Sequence, residues 1–355
     1  HGPSDGFGFT DAVGYSVIQN TDGDYIVIGS MLVKIDEDGN EKWRQEIQGY
    51  DVQQTSDGGY IICSGGLGFH MPLIIAPGLG QYYSLRLTKV NQNGQEQWSQ
   101  NFGGDSLDGG YSVQQTSDGG YIICGGTQSF GNGNFDVWLI KTDGNGIEQW
   151  SKTFGGAGDD IGKSVQQTAD GGYIICGRTE SFGNGNRDAW LIKTDGNGTE
   201  QWNKRFNHYN GGNTGDDWET AESVQQTSDG GYILTGNDVI QSGSQSGYLG
   251  MPPHNPFIIK TDNNGDEQWS YFNINWGEKL YSVQQTTDGG YIFGGTTHGS
   301  MRLKKTDDNG VVEFNQQFIS LIYGHPGGPP PEYLEQGYSA KQTADGGYII
   351  CGVTD

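Results

Sequence analysis

Residues 112–125 read SVQQTSDGGYIICG, and residues 137–150 read VWLIKTDGNGIEQW. Val, Ile, Tyr and Trp dominate these short runs, and such residues favour β-strands over helices. Asp-Gly-Gly and Asp-Gly-Asn-Gly separate the runs and are typical of tight hairpin turns, because glycine adopts positive φ without steric cost. The two stretches together therefore predict four antiparallel strands, A to D in chain order.

The first stretch recurs along the whole chain. Its tyrosine is found at Tyr25, Tyr60, Tyr121, Tyr173, Tyr232, Tyr291 and Tyr348. The second stretch follows each of the first six copies. A four-stranded unit repeated about every 50 to 60 residues is typical of a β-propeller blade, whereas solenoids, the alternative, usually have shorter repeats. We therefore predict an all-β, seven-bladed β-propeller of four-stranded antiparallel blades, forming a single domain over residues 1–355.

The predicted blades begin near residues 15, 51, 111, 163, 222, 281 and 338. The seventh copy contains strands A and B only, so the last blade is predicted to be incomplete, with residues 1–14 as a closing or exchange segment. Three alternatives stay open: a short last blade, a chain that continues past residue 355, and strands supplied by another subunit. The third would make the chain a self-assembling, filament-forming subunit, because an open strand edge templates pairing.

The repeat S-V-Q-Q-T-x-D-G-G-Y-I-I-x-G, followed by W-L-I-K-T-D-x-N-G-x-x-x-W, resembles the propeller repeats common in secreted and surface proteins of archaea and bacteria. This resemblance covers nearly the whole chain and implies an extracellular or cell-surface location. It implies no catalytic residue, because that family is functionally mixed. The D-x-x-G-x-x-x-W end also resembles the tryptophan-docking repeat of quinoprotein propellers. That likeness implies packing between blades for Trp43, Trp98, Trp150, Trp202 and Trp269.

Charge limits the classes of partner. The chain has 19 Lys and Arg against 43 Asp and Glu, which gives a formal net charge of −24 at pH 7. A field of this sign repels nucleic acid, whose binding depends on cationic contacts to phosphates, and it disfavours anionic membranes. No run of apolar residues is long enough to span a bilayer, so no membrane insertion is expected. Neutral ligands, proteins and divalent cations remain compatible.

Nearly all length variation lies in the B–C and D–A loops, which share one face of a propeller; we call it the variable face. Apart from His1, which begins the chain, the histidines are found in these loops, as are most of the aromatic residues outside the repeat. Aromatic rings stack on the apolar faces of sugars, so this face predicts binding of a neutral glycan or a partner protein. The alternative is that loops simply hold what the repeats exclude. The candidate ligand-binding residues are Phe69, His70, Tyr82, Tyr83, His208, Tyr209, Trp218, Tyr248, His254, Trp276, His298, Tyr323, His325 and Tyr333.

A ring of carboxylates is the candidate metal site. Four residues before the strand-A serine, five units carry an acidic residue: Asp108, Asp160, Glu219, Glu278 and Glu335. Because strand A is innermost in a blade, these side chains are expected at the channel mouth, where oxygen ligands suit Ca²⁺. Calcium is the one cofactor that the sequence suggests. The alternative is that each carboxylate accepts local backbone hydrogen bonds within its own blade.

Catalysis is the weaker alternative. A histidine or tyrosine on the variable face could abstract a proton, as in a polysaccharide lyase, and His70, His254 and Tyr83 are the candidates. However, the chain has no nucleophile elbow, metalloprotease motif or phosphate-binding loop. A binding or structural module is therefore favoured over an enzyme.

Overall fold

The computed structural model describes residues 13–65, 84–183, 187–207, 217–240, 254–272, 277–297, 300–318 and 336–353. In these residues the regular structure consists of β-strands, and sequential strands pair antiparallel within small sheets. No helix that could cross a membrane occurs in these ranges.

Blade one consists of β1 (Gly14–Gln19), β2 (Tyr25–Gly29), β3 (Leu32–Ile35) and β4 (Glu41–Gln45). Blade two consists of β5 (Asp51–Gln54), β6 (Tyr60–Ser64), β7 (Leu85–Val90) and β8 (Glu96–Phe102). Blade three consists of β9 (Asp108–Gln115), β10 (Tyr121–Thr127), β11 (Asp136–Thr142) and β12 (Glu148–Phe154).

Blade four consists of β13 (Ile161–Gln167), β14 (Tyr173–Thr179), β15 (Asp188–Thr194) and β16 (Glu200–Phe206). Blade five consists of β17 (Asp217–Gln226), β18 (Tyr232–Ile240), β19 (His254–Thr261) and β20 (Glu267–Phe272). Blade six consists of β21 (Glu278–Gln285), β22 (Tyr291–Thr297), β23 (Ser300–Thr306) and β24 (Val312–Phe318). The last two strands, β25 (Gln336–Gln342) and β26 (Tyr348–Val353), form a two-stranded sheet.

The prediction of a seven-bladed propeller with an incomplete seventh blade is wrong. In the ranges that the structure describes, the chain forms six blades of four antiparallel strands and a separate two-stranded sheet. The tyrosine motif marks strands A and B only, so counting its copies overcounts the blades where no strands C and D follow. Within the described residues, β26 pairs with β25 and, through a single bridge at Val353, with Val13. Because residues 1–12 lie outside those ranges, the closing or exchange role of residues 1–14 stays a prediction.

The first strand of each unit lies on the inside of the ring. Each first strand contacts the first strand of the next unit, and β25 contacts β1. Such inner strands have an unpaired edge, whose N–H groups need acceptors. The motif supplies them: Ser164 Oγ accepts from the Val224 N–H at 3.4 Å, and Gln166 Oε1 accepts from the Gln226 N–H at 2.6 Å. The sequence of strand A recurs along the chain because its Ser and Gln side chains accept hydrogen bonds from the backbone of the next unit's strand A.

A second set of hydrogen bonds closes the ring. The amide of Ser56, in an A–B turn, donates to Gln115 Oε1 of the next blade at 2.8 Å. The same contact recurs between the later units, and Ala344 N–H donates to Gln19 Oε1 at 2.7 Å. The two-stranded sheet is thereby joined to blade one.

The core lies between neighbouring blades. Leu87 and Ile61 of blade two pack with Val113, Ile123 and Ile140 of blade three in one fully buried cluster. Burial of such aliphatic surface is the main stabilising contribution, at about 25 cal/mol per Å².

The blade-terminal tryptophans pack between blades, as the sequence predicts. The ring of Trp98, in blade two, lies 5.9 Å from the ring of Tyr121 in blade three. Equivalent pairs join Trp43 to Tyr60, Trp150 to Tyr173, Trp202 to Tyr232 and Trp269 to Tyr291.

Candidate functional site

The sequence-predicted ligand residues lie mostly outside the described residues. These are Phe69, His70, Tyr82, Tyr83, His208, Tyr209, Tyr248, Trp276, His298, Tyr323, His325 and Tyr333. His254 begins β19, and its side chain is not described. Trp218, in β17, is partly buried, and the guanidinium of Arg187 lies 4.1 Å from the centre of its ring. The ligand-binding and catalytic assignments for this set therefore stay predictions.

The candidate metal ligands are held separately, each by its own neighbours. Asp108 is fully buried and accepts hydrogen bonds from the Ser129 hydroxyl at 2.7 Å, from the Thr127 hydroxyl and from the Gly104 amide at 2.9 Å. Asp160 repeats this arrangement with the Ser181 hydroxyl and an amide of the preceding loop. Each of these carboxylates ties the D–A loop that precedes its strand A to the B–C end of the same blade.

The remaining candidate carboxylates also lie apart. Glu219 is buried, and its backbone N–H donates to the Arg187 carbonyl at 2.9 Å. Glu278 is buried against Lys304 Nζ at 2.8 Å, and Glu335 lies outside the described residues. The ranges that the structure describes contain no group of three or more His, Cys, Asp or Glu side chains placed to hold a metal ion.

A different set of residues does come together, and β-bulges place it. In the innermost strands the pairing register shifts at one position, between Gly14 and Ser16 in β1 and between Gly110 and Ser112 in β9. A bulge leaves one residue unpaired and re-aims its side chain. The bulge residue is a tyrosine in four units, and Tyr50 stands at the same position just before β5. We call Tyr281, Tyr338, Tyr15, Tyr50 and Tyr111 the tyrosine collar.

The tyrosine collar is a continuous arc of aromatic contacts. The ring centres of Tyr281 and Tyr338 are 5.1 Å apart, and those of Tyr338 and Tyr15 are also 5.1 Å apart. Tyr50 then lies 5.3 Å from Tyr15 and 5.8 Å from Tyr111. All four pairs are tilted rather than flat-stacked, the arrangement that aromatic quadrupoles prefer. The arc thus presents a sheet of aromatic surface to the inside of the ring.

Charged residues occupy the two collar positions without tyrosine. Lys163 is the bulge residue of blade four, and its Nζ lies 4.1 Å from the centre of the Tyr111 ring. Glu222 is the bulge residue of blade five, and its charge contributes to raising the pKa of Tyr281 and of Tyr338. The inside of the ring therefore has an aromatic arc, which is the tyrosine collar, and a part around Lys163 and Glu222 that we call the charged sector.

Burial acts on the pKa of four collar hydroxyls, and most of the collar hydroxyls are free of hydrogen bonds to described residues. Burial raises the pKa of Tyr15, Tyr50 and Tyr281 above its usual value, and raises the pKa of Tyr338 to about 12. Tyr338 donates to Gln336 Oε1 at 2.6 Å, whereas the other four hydroxyls form no hydrogen bond with a described residue. A neutral phenol can both donate and accept, so these groups can satisfy hydroxyls of a ligand.

The sequence contained a signal for this site that periodicity alone does not reveal. Tyr directly precedes the strand-A Ser or Asp in five units. Alternation along a strand assigns a side chain to one of two faces, but a bulge breaks the alternation, and a bulge has no clear sequence signature.

Comparison with known proteins identifies the architecture. No family model matches the chain, and no curated protein matches it. Among solved structures, the chain is similar to the WD40 domain of Neurospora crassa Pan2, with a TM-score of 0.56 and 10% identity over 96% of this chain and 87% of that one. It is also similar to the Dos1 propeller, with a TM-score of 0.51 and 12% identity over 97% of this chain and 76% of that one. The fold is a β-propeller.

At identities this low, the likeness shows the fold alone, and it does not place the propeller in the bacterial and archaeal surface family. A propeller of this kind is suited to a binding or structural role, because its repeated blades form a rigid frame around a central channel. The site must therefore be argued from its own residues.

The propeller also carries a surface cleft between the outer strands of blades three and four. Its volume is about 490 Å³. Phe182, which is 40% exposed, packs against Trp190 in its wall at a ring separation of 5.5 Å, and Arg205 lies at its margin. The cleft holds one pair of contacting aromatic rings among the described residues, whereas the collar joins five rings in one arc, so the collar is the stronger candidate site.

Proposed function

We propose that this propeller is a saccharide-binding module of an extracellular or cell-surface protein, and that the end of a glycan chain enters the ring and stacks on the tyrosine collar. The observation that carries the proposal is the continuous arc of five tyrosines, four of whose hydroxyls form no hydrogen bond with a described residue. Pyranose rings offer apolar C–H faces to aromatic surfaces and hydroxyls to neutral donors and acceptors. The resemblance to secreted surface repeats supports the location.

The electrostatics of the collar support binding rather than catalysis. A tyrosine that acts as general base needs a pKa lowered towards neutrality. Burial instead raises the pKa of Tyr15, Tyr50, Tyr281 and Tyr338. These hydroxyls stay protonated near pH 7, so they suit hydrogen bonding to a ligand.

The test is isothermal titration with cellohexaose, chitohexaose, xylohexaose and tetragalacturonate. We expect at least one of them to bind the wild-type chain. Tyr50 lies between two collar rings, so Tyr50→Ala should weaken that binding by about tenfold through loss of stacking. Phe318→Ala removes a ring that is 39% exposed on the outer strand β24 and should leave the dissociation constant unchanged.

Two outcomes would contradict the proposal. One is that none of the four oligosaccharides binds. The other is that Tyr50→Ala, while retaining the wild-type melting temperature, binds as tightly as the wild type does.

A further inference from the structure

Unpaired cations gather beside the tyrosine collar. Elsewhere most of the 19 Lys and Arg side chains form ion pairs, as Lys141 does with Asp118 at 2.8 Å and Lys193 with Asp170 at 2.9 Å. Six form no ion pair with a described residue, and three of these lie in the charged sector: Lys163, Arg178 and Lys279. A fourth, Lys341, lies on the inner strand β25, where the charge of Asp51 acts on it. In a chain with so few basic residues, this grouping needs a physical reason.

The strands of blades four to six bring these cations together. Lys163 lies over the Tyr111 ring. Arg178 is near the end of β14, in register with Ile161 of β13, and its buried Nε has no hydrogen-bond partner among the described residues. Lys279 lies in β21, two residues before Tyr281 of the collar. Glu222 is close enough to act electrostatically on both Arg178 and Lys279.

The local charge is opposite in sign to that of the whole chain. Beside these three cations lies one carboxylate that has no ion pair with a described residue, that of Glu222, because the Glu180 carboxylate, which also acts on Arg178, is paired with Arg187. The chain as a whole carries a net charge of −24. Burial lowers the pKa of Lys279 and of Arg178, which shows that both heads are partly withdrawn from water. A cation withdrawn from water without a partner is destabilising unless an anion reaches it.

Distant surface charges do not cancel this sector. Screening by salt reduces interactions between exposed charges beyond about 8 to 10 Å, whereas groups inside the ring are screened less. The net charge of the chain, which led to the prediction of a neutral glycan, therefore does not decide the charge of a ligand that binds at the collar.

Resting on the proposed function, we infer that the ligand is an acidic saccharide, whose carboxylate is bound by Lys163, Arg178 and Lys279 while its ring stacks on the tyrosine collar. The guanidinium of Arg178 offers paired donors that match a carboxylate, and the two ammonium groups add charge and direction. The aromatic arc and the charged sector then recognise the two chemical parts of one uronate residue.

The experiment compares tetragalacturonate with its methyl ester, which keeps the ring and removes the charge. We expect the acid to bind at least about tenfold more tightly than the ester, and the difference to shrink as NaCl is raised. Lys279→Gln and Arg178→Gln should each weaken binding of the acid by about tenfold, and weaken binding of the ester, which keeps only a neutral carbonyl acceptor, by a clearly smaller factor. Lys152→Gln removes an exposed lysine on the outer strand β12 and is the matched control.

The failures are distinguishable. Equal binding of acid and ester, without salt dependence, would overturn the acidic ligand and leave saccharide binding standing; this comparison needs no variant. Binding of tetraglutamate as tight as that of tetragalacturonate would overturn the saccharide class. Absence of binding by either sugar, together with cellohexaose, chitohexaose and xylohexaose, would overturn both proposals.

Discussion

Gly146 shows how one residue sets the distance between two blades. It lies in the C–D turn of blade three with φ of +76°, and a Cβ built on it would be 2.5 Å from Cζ3 of Trp98 in blade two. The same relation links Gly94 to Trp43 and Gly198 to Trp150. Glycine is therefore required at this position for two reasons: its backbone has a positive φ, and the tryptophan ring of the preceding blade leaves no space for a Cβ.

Replacement of Gly146 tests that double requirement. Gly119→Ala is the matched control, because Gly119 has φ of +83° in the same blade but no heavy atom within 4 Å of a built Cβ. The control should lose about 1 to 2 kcal/mol of unfolding free energy from backbone strain alone. Gly146→Ala should lose about 3 kcal/mol, because the methyl group also displaces the tryptophan.

Urea denaturation, monitored by tryptophan fluorescence, measures both values. Equal losses in the two variants would mean that the ring of Trp98 yields without cost, and that packing between the blades does not depend on this glycine.

At the scale of elements, β26 differs from every other second strand. Tyr348, Ile349 and Ile350 are only half-buried, whereas Ile122 and Ile123 at the equivalent positions of blade three are fully buried. In the six blades a third strand covers this edge. Within the described part of the chain, β26 has a paired neighbour on one side only, apart from the bridge at Val353.

Hydrogen–deuterium exchange tests this open edge. In dilute protein we expect amides of β26 to exchange about 100-fold faster than those of β22, the second strand of the neighbouring blade, because fewer of them are paired and covered. Protection of β26 that increases with protein concentration would support the predicted self-assembly by strand addition. Protection of β26 equal to that of β22 in dilute protein would contradict an open edge.

Strands and turns were predictable because their signals are local. The Asp-Gly-Gly turn is an example. Gly119 has a positive φ, and a Cβ built on Gly120 would lie 2.1 Å from the Thr142 carbonyl oxygen, so both positions require glycine. The collar was not predictable from the alternation of side chains along a strand, because Tyr111 and Tyr281 are bulge residues at which that alternation is interrupted. The predicted number of blades was wrong because the motif around Tyr348 encodes strands A and B only, and its presence does not imply that strands C and D follow.

At the scale of the whole molecule, one ion pair repeats around the ring. A buried lysine of strand C contacts the half-exposed aspartate of the A–B turn, as Lys89 Nζ does Asp57 at 2.9 Å. Burial raises the pKa of Asp57, but hydrogen bonds from Thr55, Lys89 and the Gly59 amide outweigh that effect and hold the pKa at about 2. The pKa is also about 2 for Asp118, Asp170, Asp229 and Asp288. Asp345 of the two-stranded sheet has no lysine in this role in the described ranges.

These aspartates predict acid instability of a definite form. Each folded-state pKa, at about 2, is below the ordinary value of 3.8, so the stabilisation is complete above about pH 4 and is lost as the pH falls towards 2. Between pH 7 and pH 4 the opposite trend is expected, because partial protonation relieves the repulsion within a chain of net charge −24. The melting temperature should therefore be highest between about pH 4 and pH 6, and should fall steeply below pH 4.

Circular dichroism melts at half-unit steps from pH 7 to pH 2.5 measure this profile. Lys141→Met removes one lysine while keeping an apolar stem, so it should lower the melting temperature at pH 6 and flatten the acid decline, since Asp118 then titrates nearer its ordinary range. Lys152→Met, on the exposed face of the same blade, should reproduce the wild-type profile. A wild-type melting temperature that stays constant from pH 4 to pH 2.5 would show that the repeated ion pair does not stabilise the ring, because the aspartates would then titrate alike in the folded and unfolded chain.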